Sequence, residues 1–143
     1  RLVPLFRKAK ATLCRELPVL EQLALADFIN CGDFERHILR TRLAYTKRRQ
    51  AMIYQLTIGL RKSIKISRES AGMHIVVQFD SSYRDEDIAE SARLAGLPLL
   101  STSSYYDGEA RAGEFLVAFA QLTEQEIAEA AEKFAVNLLP ASV

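Results

Sequence analysis

The run from Gly32 to Ser63, GDFERHILRTRLAYTKRRQAMIYQLTIGLRKS, constrains this chain more than any other stretch. It holds no proline and one internal glycine, Gly59. Phe34, Ile38, Tyr45, Met52 and Leu56 are spaced 4, 7, 7 and 4 residues apart. At about 100° per residue they fall within about 40° of one another. Arg36, Arg40 and Lys47 fall on the opposite side. The pattern predicts one amphipathic helix of about eight turns, roughly 45 Å long, opened by Asp33 as its N-cap. In a chain of 143 residues so long a helix must be an axis along which other elements pack.

Two shorter helices are expected before it. Residues 4–12 open with Pro4 at a first-turn position, and Pro18 opens a second helix closed by Gly32. Leu13 to Leu17 is the connector. In the second helix Val19, Leu20, Leu23, Leu25, Phe28 and Ile29 leave almost no polar side. A helix apolar all round is buried on several sides. It is therefore either a central core helix or one that meets a second copy or another part of a longer protein.

After Ser63 the apolar period changes from helical to two. Ile64 and Ile66 make a short strand, and Arg68 to Gly72 is rich in turn residues. Met73, Ile75, Val77 and Phe79 make a second strand, and the two can pair as an antiparallel hairpin. Residues 85–95 read as a helix with acids in its first turn and Gly96 as its cap. Leu97 to Ser101 is a third strand, Ser103 to Gly113 a polar loop, and Phe115, Val117 and Phe119 mark a fourth strand. Thr123 and Glu126 form a capping box before the stripe Ile127, Ala131, Phe134 and Leu138. The class is α+β: N-terminal helices including one long helix, then β-β-α-β-β-α with a mostly antiparallel four-stranded sheet.

Charge is divided unevenly. Residues 1–79 carry 15 Lys/Arg and 6 Asp/Glu, and residues 80–143 carry 4 Lys/Arg and 12 Asp/Glu. A helix that reads DNA gathers its cations on one face. Here Arg42 and Arg49 flank the apolar stripe while Arg36, Arg40 and Lys47 oppose it. Solvated faces or mutual attraction of the two halves explain the imbalance better. No apolar run reaches the ~18 residues of a membrane helix, and no signal-peptide pattern is present. The two cysteines, Cys14 and Cys31, sit in no CxxC or Cys/His cluster, which points to a cytoplasmic protein without a structural metal. The chain begins with Arg1, not Met, as expected of a piece of a longer protein.

No GxSxG, P-loop, HExxH or GxGxxG is present, so no catalytic residue is assigned. His37 and His74 lie on different elements and read as packing residues. Asp85, Glu86 and Asp87 suit a helix N-terminus. Tyr105 and Tyr106, in a loop between strands beside Gly108 and Gly113, stand where binding residues often lie.

The wording from Phe28 to Arg49, FINCGDFERHILRTRLAYTKRR, resembles the run FI..G.F.RHIRRMR..Y..RR of MocR-type regulators. Gly72-Met73-His74 resembles that family's AGLH strand, Gly96-Leu97-Pro98 to Tyr106 its AGV…S.YY segment, and Leu116 to Ile127 its LLLGFA.LSEEEI. The segments occur in the family's order along nearly the whole chain. The family joins a winged-helix DNA-binding domain of the GntR class to a domain like the fold type I aminotransferases, which use pyridoxal 5'-phosphate (PLP).

The resemblance implies that residues 1–143 are the C-terminal, small part of the aminotransferase-like effector-binding domain. Residues 1–31 would then contact the large domain, 32–63 connect to it, and 64–143 form the α+β subdomain. The full-length protein would be a dimer that binds PLP and an amine or amino acid, and DNA only through its N-terminal domain. The Schiff-base lysine would lie upstream of Arg1, so no PLP is expected on these residues alone. Active aminotransferases clamp a substrate carboxylate with an arginine just before the Leu-Gly-Phe-Ala motif, and Leu116 stands there. Leu116 becomes a candidate apolar wall of the effector pocket and Arg111 a candidate carboxylate holder, with Tyr105 and Tyr106 beside them. A working aminotransferase is the alternative, weakened by Leu116. An independent interaction domain that docks a partner through helix 18–31 is a third reading.

Overall fold

The computed structural model describes residues 2–13, 18–67 and 72–139. Cys14, most of the connector that ends at Leu17 and the turn 68–71 lie outside the described residues. The chain falls into two compact units, 1–41 and 42–143.

The first unit holds α1 (Val3–Leu13), α2 (Val19–Asn30) and the start of α3 (Asp33–Leu60). Pro18 stands at the N-cap of α2 and Cys31 at its C-cap. Gly32 then turns the chain, with φ 76°. The first bond of α3 runs from Arg36 N–H to the Gly32 carbonyl at 3.2 Å. The N-cap is therefore Gly32, one residue earlier than the sequence pattern places it. Asp33 instead begins the helix and accepts from Arg36 Nη2 at 2.7 Å. Phe28 meets Phe34 edge-on at 6.1 Å and His37 at 6.4 Å, so His37 has a packing role. No residue of α2 is buried: Leu20 is 78% exposed and Leu23 60%. This overturns the reading of α2 as a central core helix.

The second unit takes the rest of α3, which passes through a 3₁₀ turn (Arg61–Ser63) into the sheet. The strands are β1 (Ile64–Ile66), β2 (His74–Phe79), β3 (Leu99–Ser101) and β4 (Glu114–Ala118), in the order β1-β2-β4-β3. All three pairings are antiparallel. The helix α4 (Asp85–Ala95) follows β2, and α5 (Glu124–Leu138) follows β4. The alternation read from the sequence decides the faces. Ile75, Val77 and Phe79 of β2 and Phe115 and Val117 of β4 are buried, while Val76, Gln78, Leu116 and Ala118 are only half-buried. One face of the sheet thus lies in the core, and the register sets Lys65, Gln78 and Glu114, and Val76, Leu116 and Leu100, in rows on the other.

Met52, Leu56 and Leu60 of α3, Ile88 and Ala92 of α4, and Ile127, Ala131 and Phe134 of α5 close the core over that inner face. Phe79 meets Phe115 at 5.7 Å and Phe134 at 6.0 Å, both edge-to-face, a favoured aromatic geometry. The predicted stripe of α3 thus divides: Met52 and Leu56 are in the core, whereas Phe34 is 43% exposed. Helices α3 and α5 approach closely at Gly59, where an added Cβ would sit 2.9 Å from the Ala135 Cβ. The capping box of α5 is present in both directions, Thr123 N–H to Glu126 and Glu126 N–H to Thr123. Gly96 closes α4 in the left-handed region. Arg48 donates to the Ala120 carbonyl, tying α3 to the turn after β4.

Candidate functional site

The outer face of the sheet carries the polar chemistry. Glu114 opens β4 there and is buried. A carboxylate so enclosed needs donors, and three side chains supply them. The Tyr106 hydroxyl donates to Oε1 at 2.6 Å, Thr102 Oγ1 donates to the same oxygen at 3.0 Å, and Arg111 Nη1 lies 3.5 Å from Oε2. The hydrogen bond from Tyr106 holds the Glu114 carboxyl below its ordinary value, against desolvation, with Thr102 and Arg111 adding to the effect. The same bond raises the Tyr106 hydroxyl above its ordinary value.

The loop 103–113 is fixed to the sheet at its far end by Gly113. Its N–H donates to Asp85 Oδ1 at 2.8 Å, and its carbonyl accepts from Phe79 N–H at 2.8 Å. Gln78 Nε2 donates to the Ala112 carbonyl at 2.8 Å. Gly113 has φ 75°, and a Cβ there would stand 2.9 Å from Gln78 Nε2 and 3.0 Å from the Phe79 carbonyl oxygen. Glycine is required by both conformation and space.

Beside this cluster lies a recess of about 480 Å³ whose lining includes Lys65, Val76, Gln78, Tyr106, Arg111 and Glu114. Of the four residues picked out in the sequence, Tyr106 and Arg111 share this recess. Leu116 is on the same face, paired with Val76 on one side and Leu100 on the other. Tyr105 ends the 3₁₀ turn Ser103–Tyr105 and is 71% exposed. A second recess, of about 640 Å³, borders the other end of the sheet near Tyr45, His74, Arg93, Leu97 and Ala118.

Sequence reading missed Glu114 and Asp85. The sequence pattern does not single out Glu114, although strands disfavour glutamate, and that is the available signal. Asp85 suited a helix start, which concealed its bond to the loop.

These residues do not fit PLP by themselves. A Schiff-base lysine is an enclosed one, and every lysine among the described residues is exposed. Nor is there, among the described residues, a group of three or more His, Cys, Asp or Glu able to hold a metal, or a helix long and apolar enough to cross a membrane.

The geometry can be set beside known proteins. No protein-family model matches the chain. Over 106 residues, 74% of this chain, it is 28% identical to the uncharacterized HTH-type transcriptional regulator YhdI of Bacillus subtilis. Over 79 residues, 55% of the chain, it is 33% identical to the probable rhizopine catabolism regulatory protein MocR of Rhizobium meliloti. The chain is similar to HTH-type transcriptional regulators, a probable MocR among them.

It spans about a quarter or less of the length of these relatives, 23% and 16%. Among solved structures it matches the α-aminoadipate aminotransferase LysN of Thermus thermophilus with a TM-score of 0.74 and 20% identity. That match covers 92% of this chain and 33% of LysN, which was solved with N-(5'-phosphopyridoxyl)-L-leucine. It matches the kynurenine aminotransferase of Pyrococcus horikoshii with a TM-score of 0.75 and 22% identity, covering 94% of this chain and 34% of that one. At these identities the likeness is one of fold. A regulator relative thus has the α+β fold of part of an aminotransferase.

Proposed function

We propose that these residues are the lid side of an effector pocket in a longer DNA-binding regulator. The longer protein would hold PLP and an amine or amino acid in its aminotransferase-like domain. The outer face of the four-stranded sheet would close over that ligand. Closure would alter the setting of a winged-helix domain carried on the same chain, a rigid-body switch. PLP would supply an aldehyde that captures amines, and other parts of the longer protein would hold it through the family's Schiff-base lysine.

One observation carries the reading: similarity to HTH-type regulators over three quarters of the chain, on a backbone shared with aminotransferases. The outer face supports it with an apolar strip, Val76, Leu116 and Leu100, beside a recess bearing Arg111 and Tyr106. A pocket that orients a small ligand combines such apolar walls with a few placed polar groups. Leu116 argues against a working aminotransferase, because an apolar side chain cannot clamp a carboxylate as a guanidinium does.

The test uses the product of the complete reading frame. Its absorbance is followed with PLP, and its affinity for DNA from upstream of its own gene is measured with and without added amino acids. A PLP spectrum and an amino-acid-dependent shift in DNA affinity are expected. Turnover of an amino acid with an oxo acid at ordinary enzyme rates, without DNA binding, would establish the aminotransferase instead.

A further inference from the structure

Resting on the effector-pocket reading, we propose that Glu114 is a built-in stand-in for a ligand carboxylate: it occupies the Arg111 guanidinium, and a small carboxylate entering the recess beside Lys65 displaces it.

Three features of the cluster lead to this. Glu114 is held unequally by its partners. Tyr106 and Thr102 both bond Oε1, at 2.6 and 3.0 Å, and Thr102 Oγ1 also reaches the Glu114 carbonyl at 3.0 Å. Among the described residues Arg111 reaches Oε2 alone, with one nitrogen, at 3.5 Å. The Tyr106 hydroxyl, with a share of the single Thr102 proton, keeps a buried carboxylate hydrogen-bonded without Arg111. Losing the guanidinium does not orphan it, which is the costly outcome for a buried charge.

Arg111 is in the opposite position. Its side chain is 71% exposed, while that of Glu114 is 11% exposed. A guanidinium has five N–H donors in a fork that suits two carboxylate oxygens. A single long contact leaves most of that capacity unused. An exposed, single-contact ion pair is weak, so a ligand offering both oxygens competes well for the same group.

The register then supplies a second cation and sets the ligand class. Lys65 pairs with Gln78, and Gln78 pairs with Glu114, so all three share the outer face. Lys65, Arg111 and Glu114 all line the recess. Among the described lining residues, two cations stand against one carboxylate, which favours an anion, and Val76 adds an apolar wall. That suits a small organic carboxylate such as an amino acid. Once Arg111 turns to the ligand, Glu114 remains on Tyr106 and Thr102 and keeps the loop 103–113 on the sheet.

The stand-in predicts opposite signs for two substitutions around one carboxylate. Glu114→Gln removes the competitor and frees Arg111. Tyr106→Phe removes the strongest alternative donor, so Glu114 leans harder on Arg111. The protein is labelled with ¹⁵N, and the Arg111 Nε–Hε signal is followed as potassium acetate is added, with potassium chloride at equal ionic strength as the control.

Acetate is expected to move that signal saturably while chloride does not. The apparent Kd should fall about threefold or more in Glu114→Gln and rise about threefold in Tyr106→Phe, since the apparent constant scales with the fraction of Arg111 that is available. Arg111→Gln should abolish the saturable effect, as read at the Gly113 amide. Where Glu114→Gln loses its dispersed spectrum, the sign for Tyr106→Phe decides alone. A saturable shift with no tightening in Glu114→Gln, or tightening in Tyr106→Phe, overturns the stand-in and leaves the pocket reading intact. No saturable shift in either the native protein or Glu114→Gln overturns both the stand-in and carboxylate binding on this face.

Discussion

The Tyr106 hydroxyl donates to Oε1 of Glu114 across 2.6 Å, and Thr102 donates to the same oxygen. These bonds make the attachment of the loop 103–113 depend on pH at both ends of the range. The Glu114 carboxyl titrates below the ordinary glutamate value of 4.5 in the folded protein. A lowered folded value means that its contribution is present above 4.5 and is lost as pH falls through the folded value. The Tyr106 hydroxyl titrates above the ordinary 10.0. Its contribution is full below 10.0 and is lost as pH rises through the raised value. NMR titration of the Glu114 carboxyl carbon and the Tyr106 ring should place the two midpoints outside 4.5 and 10.0 respectively. A Glu114 midpoint at or above 4.5 would sink the arrangement.

Gly113 sets the far end of the same loop. Gly113→Ala must hold a left-handed backbone, which costs an L-residue about 1–2 kcal/mol. Its Cβ must also displace Gln78 Nε2 and the Phe79 carbonyl. A loss of about 2–3 kcal/mol is expected once that clash is added. Urea unfolding measures it, and an unchanged midpoint would show that the loop takes another path.

Gly59 presents two opposed effects. Glycine to alanine inside a helix ordinarily gains about 1 kcal/mol. Here the new methyl meets the Ala135 Cβ at 2.9 Å, and neither group can swing aside. Overpacking costs about 1–3 kcal/mol, so Gly59→Ala should lower stability despite better propensity. Ala135→Gly in the same chain should recover most of the loss, giving a coupling of about 1 kcal/mol or more in a double-mutant cycle. Additive effects would mean the helices do not meet there.

Much of the fold is legible locally, because the signals that set it are local. Thr123 and Glu126 lie three residues apart and satisfy each other, and Gly96 ends α4 because only a few positions need its φ. The alternation of Ile75, Val77 and Phe79 fixes which face is buried, whatever strand lies beside it. The site is less legible because it is built across distance. Glu114 acquires its meaning from Thr102, twelve residues away, and the loop from Asp85, twenty-eight residues from Gly113. Gly59 gives no sign in the sequence of the helix that approaches it. For α2, composition shows that the helix is apolar but not what covers it, so the core reading and the contact reading could not be separated.

That exposure yields its own prediction. Leu20 and Leu23 are 78% and 60% exposed, so replacing each with lysine should change the unfolding free energy by no more than about 0.5 kcal/mol. The native protein should associate through this apolar surface, and the double variant should sediment as a smaller species. A clear fall in the unfolding midpoint would show that α2 is packed in the native fold.

Leu116→Arg restores the guanidinium that the resembling aminotransferases place just before their Leu-Gly-Phe-Ala motif. Leu116 is half-buried on the outer face, between Val76 and a Leu100 that is 57% exposed. An arginine stem can lie along those two side chains with its head in water, so the change should cost about 1 kcal/mol or less. The new head group stands two residues from Glu114 on the same strand, about 7 Å along it. Glu114 will therefore compete for it as it does for Arg111. Leu116→Arg alone should tighten acetate binding only modestly, and Leu116→Arg with Glu114→Gln should tighten it by more than the two single changes combined. If the folded double variant binds acetate no better than Glu114→Gln alone, Leu116 does not border the carboxylate's position, and the apolar strip serves another part of the ligand.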